Sequence, residues 1–384
     1  MTNEQQFILD ALRTALCGKP ERLNAWKGIS LDTETIVRIV LRNGILLTVY
    51  PALTDLPTIQ SVLRDRYFAA LQQAVMQEYE GNQILCKLND AGLDCIALKG
   101  WELRKLYPNT AMRQMADLDI LVRPYDYVKI RALMKELGFT GRGGTESSWK
   151  HDSFSKGGVT AEMHKRLTDD SGGIRAWEDK MWAHAAPIEP GSHVFRMSPE
   201  DYYIFHFIHL HKDFLNGSLG LRRIADTWLL DRSGEQNREF VHTELKKLGI
   251  ETFHDRMVKL SRAAMGEECP DESTDLLLQH AFTHGIYGSD KSYKAGRIAS
   301  MGDSLKMGKI RSLVSAIFLP IGRMKAQYPI LENKPLLLPA FWVKRILWYL
   351  RGGIMKNKTR LDYRNISDED YHAMKSFFEA GGIL

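Results

Sequence analysis

The hydrophobic period changes twice along this chain, and that double change limits the folds open to it. Residues 1–85 repeat apolar side chains at spacings of three and four, as in FILDALRTAL and SVLRDRYFAALQQAVMQEYEGNQILCKLNDAGL. That is helical periodicity, and Pro20, Pro51 and Pro57 divide the segments. At Gly92 the pattern shortens. DCIAL, residues 94–98, reads as a strand running into a turn at Lys99–Gly100. WELRKLY reads as a short helix stopped by Pro108–Asn109, and DLDILV, residues 117–122, as a second strand. Tyr125 to Leu137 has helical spacing and stops at Gly138. Residues 148–156 and 159–167 read as a hairpin around Gly157–Gly158. Helical spacing returns near 198, with Ser198 as N-cap and Pro199 at the first helical position. Gly and Ser near 285–303 read as a loop. The order predicts an α+β protein: a small mixed-sheet core at 86–190 between helical regions at 1–85 and 191–384.

Size and charge narrow the function classes. A chain of 384 residues is long enough for two or three domains. No run of about 18 uncharged apolar residues occurs, so no transmembrane helix is expected. The N-terminus carries acids early and lacks the basic-then-apolar order of a secretory signal. Cys17, Cys86, Cys95 and Cys269 have no paired spacing, which suits a reducing cytoplasm and argues against a zinc ribbon or disulfide framework. A cytoplasmic protein is expected, with the inner-membrane surface as an alternative placement. Residues 291–361 hold fifteen Lys and Arg against two acids, Asp303 and Glu332, although the whole chain is only +5. A segment of that sign invites an anionic partner: tRNA, a phosphorylated glycan or a membrane surface. Within it, AFWVKRILWYLRGGIMKNK is amphipathic and reads as a packed helix with Trp342, Ile346 and Tyr349 inward, or as a helix lying on anionic lipid.

The chemistry concentrates at the second strand. Asp117 and Asp119 sit two apart in an apolar run, and residues i and i+2 of a strand share a face. Two adjacent carboxylates repel and raise each other's pKa unless a cation lies between them. Magnesium suits such a pair, because it takes one or two carboxylates plus substrate phosphates. Glu162, in VTAEMHKRL, is the third acid, with His164 on its face. Three carboxylates on adjacent strands would hold two metals about 3.5–4 Å apart. The Lys99–Gly100 turn offers backbone amides for phosphate, while Lys99 and Arg113 supply positive charge. His206, His209 and His211 fail as a zinc set on helical spacing; His209 and Lys212 instead read as residues near nucleotide or acceptor. Arg222 and Asp226, four apart on a helix, read as an ion pair.

Together ALKG, LYPNTAMRQMADLDILVRPYD, LGF and AEMHKRL resemble bacterial nucleotidyltransferase family 5 of the polymerase-β-like superfamily. HLHKDF, LRRIADTWLL and QYPILENKPLLLPAFWVKRI look like the C-terminal segments of that family, so the resemblance spans roughly residues 80–350. It implies that Gly100 belongs to the phosphate turn, Asp117 and Asp119 to the metal pair, and Glu162 to the third acid. The chain departs from the superfamily in reading Lys–Gly at the turn and Glu in place of the usual Asp. The implied enzyme is a magnesium-dependent nucleotidyltransferase, with manganese as a substitute ion. It would move a nucleoside monophosphate from an NTP, ATP above all, to an unidentified acceptor hydroxyl. The rival readings are a non-catalytic nucleotide- or RNA-binding protein and a toxin-like transferase acting on tRNA or protein.

Overall fold

The computed structural model describes residues 1–142, 150–167, 173–328, 330–348 and 363–383. Residues 148–149 of the expected hairpin, Tyr349, and the basic stretch 349–361 lie outside them. Packing divides the described chain into two compact units. The first takes residues 1–211 and 219–287 together, whereas the sequence reading separates stretches at 85 and 190. The second takes 212–218 and 288–384.

The first unit carries one mixed seven-stranded sheet inside a largely helical body. Its strands are β1 (Cys95–Ala97), β2 (Leu118–Val122), β3 (Thr140–Arg142), β4 (His151–Lys156), β5 (Val159–His164), β6 (Ala186–Pro187) and β7 (Val194–Arg196). They lie in the order β3-β4-β5-β2-β1-β7-β6. The expected α+β architecture and mixed sheet are therefore present. The β4–β5 hairpin turns through Gly157 and Gly158, at φ 54° and 85°, which glycine reaches at no steric cost. Three strands escape the sequence reading. β3, β6 and β7 are three, two and three residues long, too short for a period of two to register. β7 nonetheless lies parallel to β1 inside the sheet.

Alternation along β2 and β5 sorts the residues by face. Leu118, Ile120, Val122, Val159, Ala161 and Met163 belong to the apolar core. This face packs under the helix Pro57–Asp90, through Ile84 and Leu88, and the helix Tyr127–Glu136, through Ile130 and Met134. Gly81 lets that long helix approach closely: a Cβ there would sit 2.4 Å from the Trp101 ring. The opposite face carries the polar residues.

The helix Pro199–Leu215 begins where the sequence places it. Ser198 Oγ accepts the amide of Asp201 at 3.1 Å, an N-cap bond. In the second unit the segment near 285–303 is not simply a loop: Asp290–Ala299 is helical. Ser289 and Ser292 close a capping box there, so the serines that suggest a break start the helix.

Candidate active site

The register of the central strands builds the site. β2 and β5 are parallel with Asp119 opposite Glu162, so these side chains emerge from one face as neighbours. His164 follows two residues along β5. The antiparallel β4 adds Ser153 opposite Glu162 and His151 opposite His164. One ligand atom from each of Asp119, Glu162 and His164 lies within 4.8 Å of the others, the converging set among the described residues. Two of the three expected acids are in that set. Asp117 is not: it precedes β2, which starts at Leu118. It is close enough, however, for the Asp119 charge to act on its carboxyl.

Asp119 is buried, which is costly for a charge unless it is paired. Lys99 Nζ donates to its Oδ1 at 2.8 Å, and His164 Nε2 donates to the same oxygen at 2.7 Å. Burial alone would raise the Asp119 carboxyl, but the Lys99 ammonium and the His164 hydrogen bond override it and hold the group well below the usual range. For Asp117 the balance is opposite: burial first, then the neighbouring Asp119 charge, pushes it up to about 6. Glu162 is held low, chiefly by its hydrogen bond from His164, whose Nε2 is 3.4 Å away. Ser153 Oγ also donates to Glu162, at 3.1 Å. Burial works against the His164 imidazolium, yet hydrogen bonds to Asp119 and Glu162 raise its pKa on balance. Burial lowers that of His151, whose ring centroid lies 4.9 Å from that of His164.

The turn after β1 shapes the approach to these groups. Lys99 has φ 44°, the one non-glycine residue at positive φ among the described residues, a conformation that costs energy. Tyr202 helps hold it, donating its hydroxyl to the Lys99 carbonyl at 2.7 Å. The amides of Trp101 and Glu102 donate to the Leu98 and Lys99 carbonyls at 3.1 and 3.2 Å, so these amides are taken within the turn itself. Gly100 is required by packing. A Cβ there would lie 2.4 Å from Arg113 Nη1 and 2.8 Å from Met115 Cγ. Gly100→Ala is expected to cost roughly 1–3 kcal/mol, the range for overpacking a filled interior, read as a lower midpoint in denaturant unfolding. An unchanged midpoint would mean that the turn has room to shift.

Other expected contacts resolve differently. Arg113 is buried and commits its guanidinium to Asp226, through Nε at 2.8 Å and Nη2 at 2.7 Å. That two-bond grip makes it a structural residue of the first unit, in place of the phosphate ligand expected from sequence. It also displaces the expected Arg222–Asp226 bridge: Arg222 donates to the Gln114 carbonyl instead. His206 bonds Thr227 Oγ1 at 2.9 Å, and burial pushes its imidazole down to about 3. His211 packs edge-on against Phe253. His209 lines a small cavity with Lys99, Leu103, Tyr202, Phe205 and Arg223. Lys212 is exposed and falls in the second unit.

The sequence puts His164 on the Glu162 face without a ligand role; the structure adds His151 opposite His164 and sets Arg223 on the wall of the Lys99 cavity. The first two had a signal, the alternation of β5 and its hairpin partner. Arg223 had none, because its place beside Lys99 depends on helix packing. No curated protein and no solved structure matches the chain. Residues 30–266 match the family described as uncharacterised nucleotidyltransferase. That match covers more than half of the 384 residues, so the chain belongs to this nucleotidyltransferase family and is a transferase enzyme acting on a nucleotide.

Proposed function

We propose that the enzyme transfers a nucleoside monophosphate from an NTP, with ATP as the expected donor, to an acceptor hydroxyl. The acceptor oxygen would bond to the α-phosphorus as the α–β phosphoanhydride bond breaks and pyrophosphate leaves. The observation that carries this reading is the convergence of Asp119, Glu162 and His164 beside Lys99. The donor set suits a divalent cation. Two carboxylates and an imidazole nitrogen point at one place, and Asp117 carries a carboxyl that burial and the neighbouring Asp119 charge push up to about 6. Asp117, Asp119 and Glu162 would hold magnesium, or manganese in its place, with His164 available as a nitrogen donor that favours the latter. Bound metal would neutralise phosphate charge and lower the pKa of the acceptor hydroxyl.

The chain's own residues have separate tasks. Lys99 holds positive charge at Asp119 Oδ1 and would give that charge to the triphosphate. Arg223 and His209, on the wall of the Lys99 cavity, would face the same anion. Gly100 and Arg113 act through packing, by fixing the turn. Glu162, ionised and oriented by Ser153 and His164, would receive the proton of the attacking hydroxyl. Most of the rate gain would come from positioning and fixed charge.

Glu162→Gln keeps the size of the side chain and removes its charge. It is expected to bind magnesium–NTP within a few fold of wild type and to lose roughly 10²-fold or more in turnover. Calorimetric binding and single-turnover kinetics on the same preparation separate the two effects. If His164→Ala is the severe variant while Glu162→Gln is nearly silent, the proton-accepting role belongs to the imidazole. Tight magnesium–NTP binding with no pyrophosphate release by the wild-type chain, across all NTPs and with cell extract as acceptor, would favour a non-catalytic binding protein.

A further inference from the structure

The helix Leu305–Ile317 of the second unit is built inside out. Its buried positions are small, Gly308, Ser312 and Ala316. They recur every four residues and pack close to the helix Asp290–Ala299, where a Cβ on Gly308 would lie 2.4 Å from the Ile298 carbonyl oxygen. Its large apolar residues face outward: Met307, Ile310 and Val314 are 43%, 47% and 47% exposed. Their spacing, i, i+3 and i+7, marks the face that a helix in a water-soluble body normally buries. The pattern continues along the chain. Phe318, Ile321 and Ile330 are exposed, Leu336 is 93% exposed, and Val343 and Leu347 lie one turn apart on the helix Leu338–Trp348. Exposed apolar residues in this number mark a contact surface.

Charge says what the contact is. Between residues 305 and 348 the chain carries eight Lys and Arg and a single acid, Glu332. Lys306 and Arg311 are exposed on the same helix as Ile310, and Lys344 adjoins the exposed Val343. Small residues packed inside, apolar side chains outside and interleaved cations are what a helix lying at a lipid interface requires. RNA would fit less well, since its backbone is met by cations and its bases by stacked rings, and the outward face here is mainly aliphatic. No single helix among the described residues is long and apolar enough to cross a bilayer, so these short helices would lie along the surface. We propose that the second unit, through residues 305–348, docks the enzyme on an anionic phospholipid bilayer. This goes beyond the nucleotidyl-transfer reading and does not depend on it.

The test is co-sedimentation of the full chain with phosphatidylcholine vesicles, with and without phosphatidylglycerol. Binding is expected only to the anionic vesicles, weakening with added salt. The I310E/V314E pair should reduce it at least ~10-fold, as should K306E/R311E, which reverses two exposed charges and gives up the Arg311 bond to the Met301 carbonyl. The charge pair carries the test by itself if the apolar pair does not fold, as judged by circular dichroism. Absence of vesicle binding overturns the proposal, and so does binding indifferent to headgroup charge. So would sedimentation velocity showing a stable dimer that I310E/V314E dissolves without vesicle binding, because a second copy would then cover the face. RNA binding unaffected by I310E/V314E, with no vesicle binding, would likewise overturn it.

Discussion

Asp226→Ala is expected to lose about 3–5 kcal/mol of folding stability, the range for removing one partner of a buried ion pair. Asp226 and Arg113 are both nearly fully buried. The Asp226 carboxylate also accepts the Tyr107 hydroxyl at 2.8 Å. Arg222 and Arg223 are close enough to act on the same charge. Removing the carboxylate therefore leaves the buried Arg113 charge without the group that pairs with it. Burial by itself would raise the Asp226 carboxyl, and Arg113 brings it below the ordinary value instead. The sign follows from linkage: a depressed carboxyl contributes stability that is complete above its unfolded pKa of about 3.9 and is lost as the pH falls through the folded value. Wild type should thus show an acid-dependent component of unfolding that Asp226→Asn lacks. Urea denaturation at neutral and acid pH measures both effects. A loss below about 1 kcal/mol for Asp226→Ala would mean that solvent reaches the pair and screens it.

Asp119→Asn is expected to lower turnover by roughly 10³-fold or more, because fixed charge at the reacting phosphate is commonly the largest catalytic contribution. The substitution removes the charge that Lys99 and His164 share and the carboxylate common to the converging set. It also removes the Asp119 charge, which after burial is what holds Asp117 near 6, so the Asp117 carboxyl should move part of the way back toward its ordinary range. A carbon-13 NMR titration of the aspartate carboxyls reads that shift independently of activity. Some stability will be lost with the part-buried Lys99 pair, so each preparation needs a melting curve. Turnover within tenfold of wild type in a folded Asp119→Asn protein would remove this residue from the reaction.

How much of this was legible before the structure depends on which interactions are local. The period change at Gly92, the Ser198 cap and the glycine pair of the β4–β5 hairpin are encoded within a few residues, and all three are present. Asp119 and Glu162 were legible because alternation within a strand puts each on a defined face, leaving only the pairing of β2 with β5 to be supplied. Asp117 shows the limit of that reasoning: the strand begins one residue later, so the rule of two no longer fixes its direction. Arg113 shows another. Its partner lies 113 residues away on a helix packed over the turn, and no local pattern carries such a distance. A nearby acid on the same helix as Arg222 suggested a pair that packing gave to Arg113. The outward apolar face of Leu305–Ile317 was hidden for a related reason. Periodicity reveals an apolar stripe, but only packing shows that small residues on the other side make the buried contact.

The central claim is that the bond broken lies between the α- and β-phosphates at the Asp119–Glu162 centre. Position-specific labelling tests it most directly. The purified enzyme is incubated with magnesium, cell extract and each NTP in turn, labelled at the α-phosphate in one series and at the γ-phosphate in the other. The account predicts that α-label appears on an acceptor, that γ-label appears only in pyrophosphate, and that Asp119→Asn abolishes both. Transfer of γ-label to the acceptor would make the chain a kinase. Transfer of α-label undiminished in Asp119→Asn would place nucleotidyl transfer at some other site.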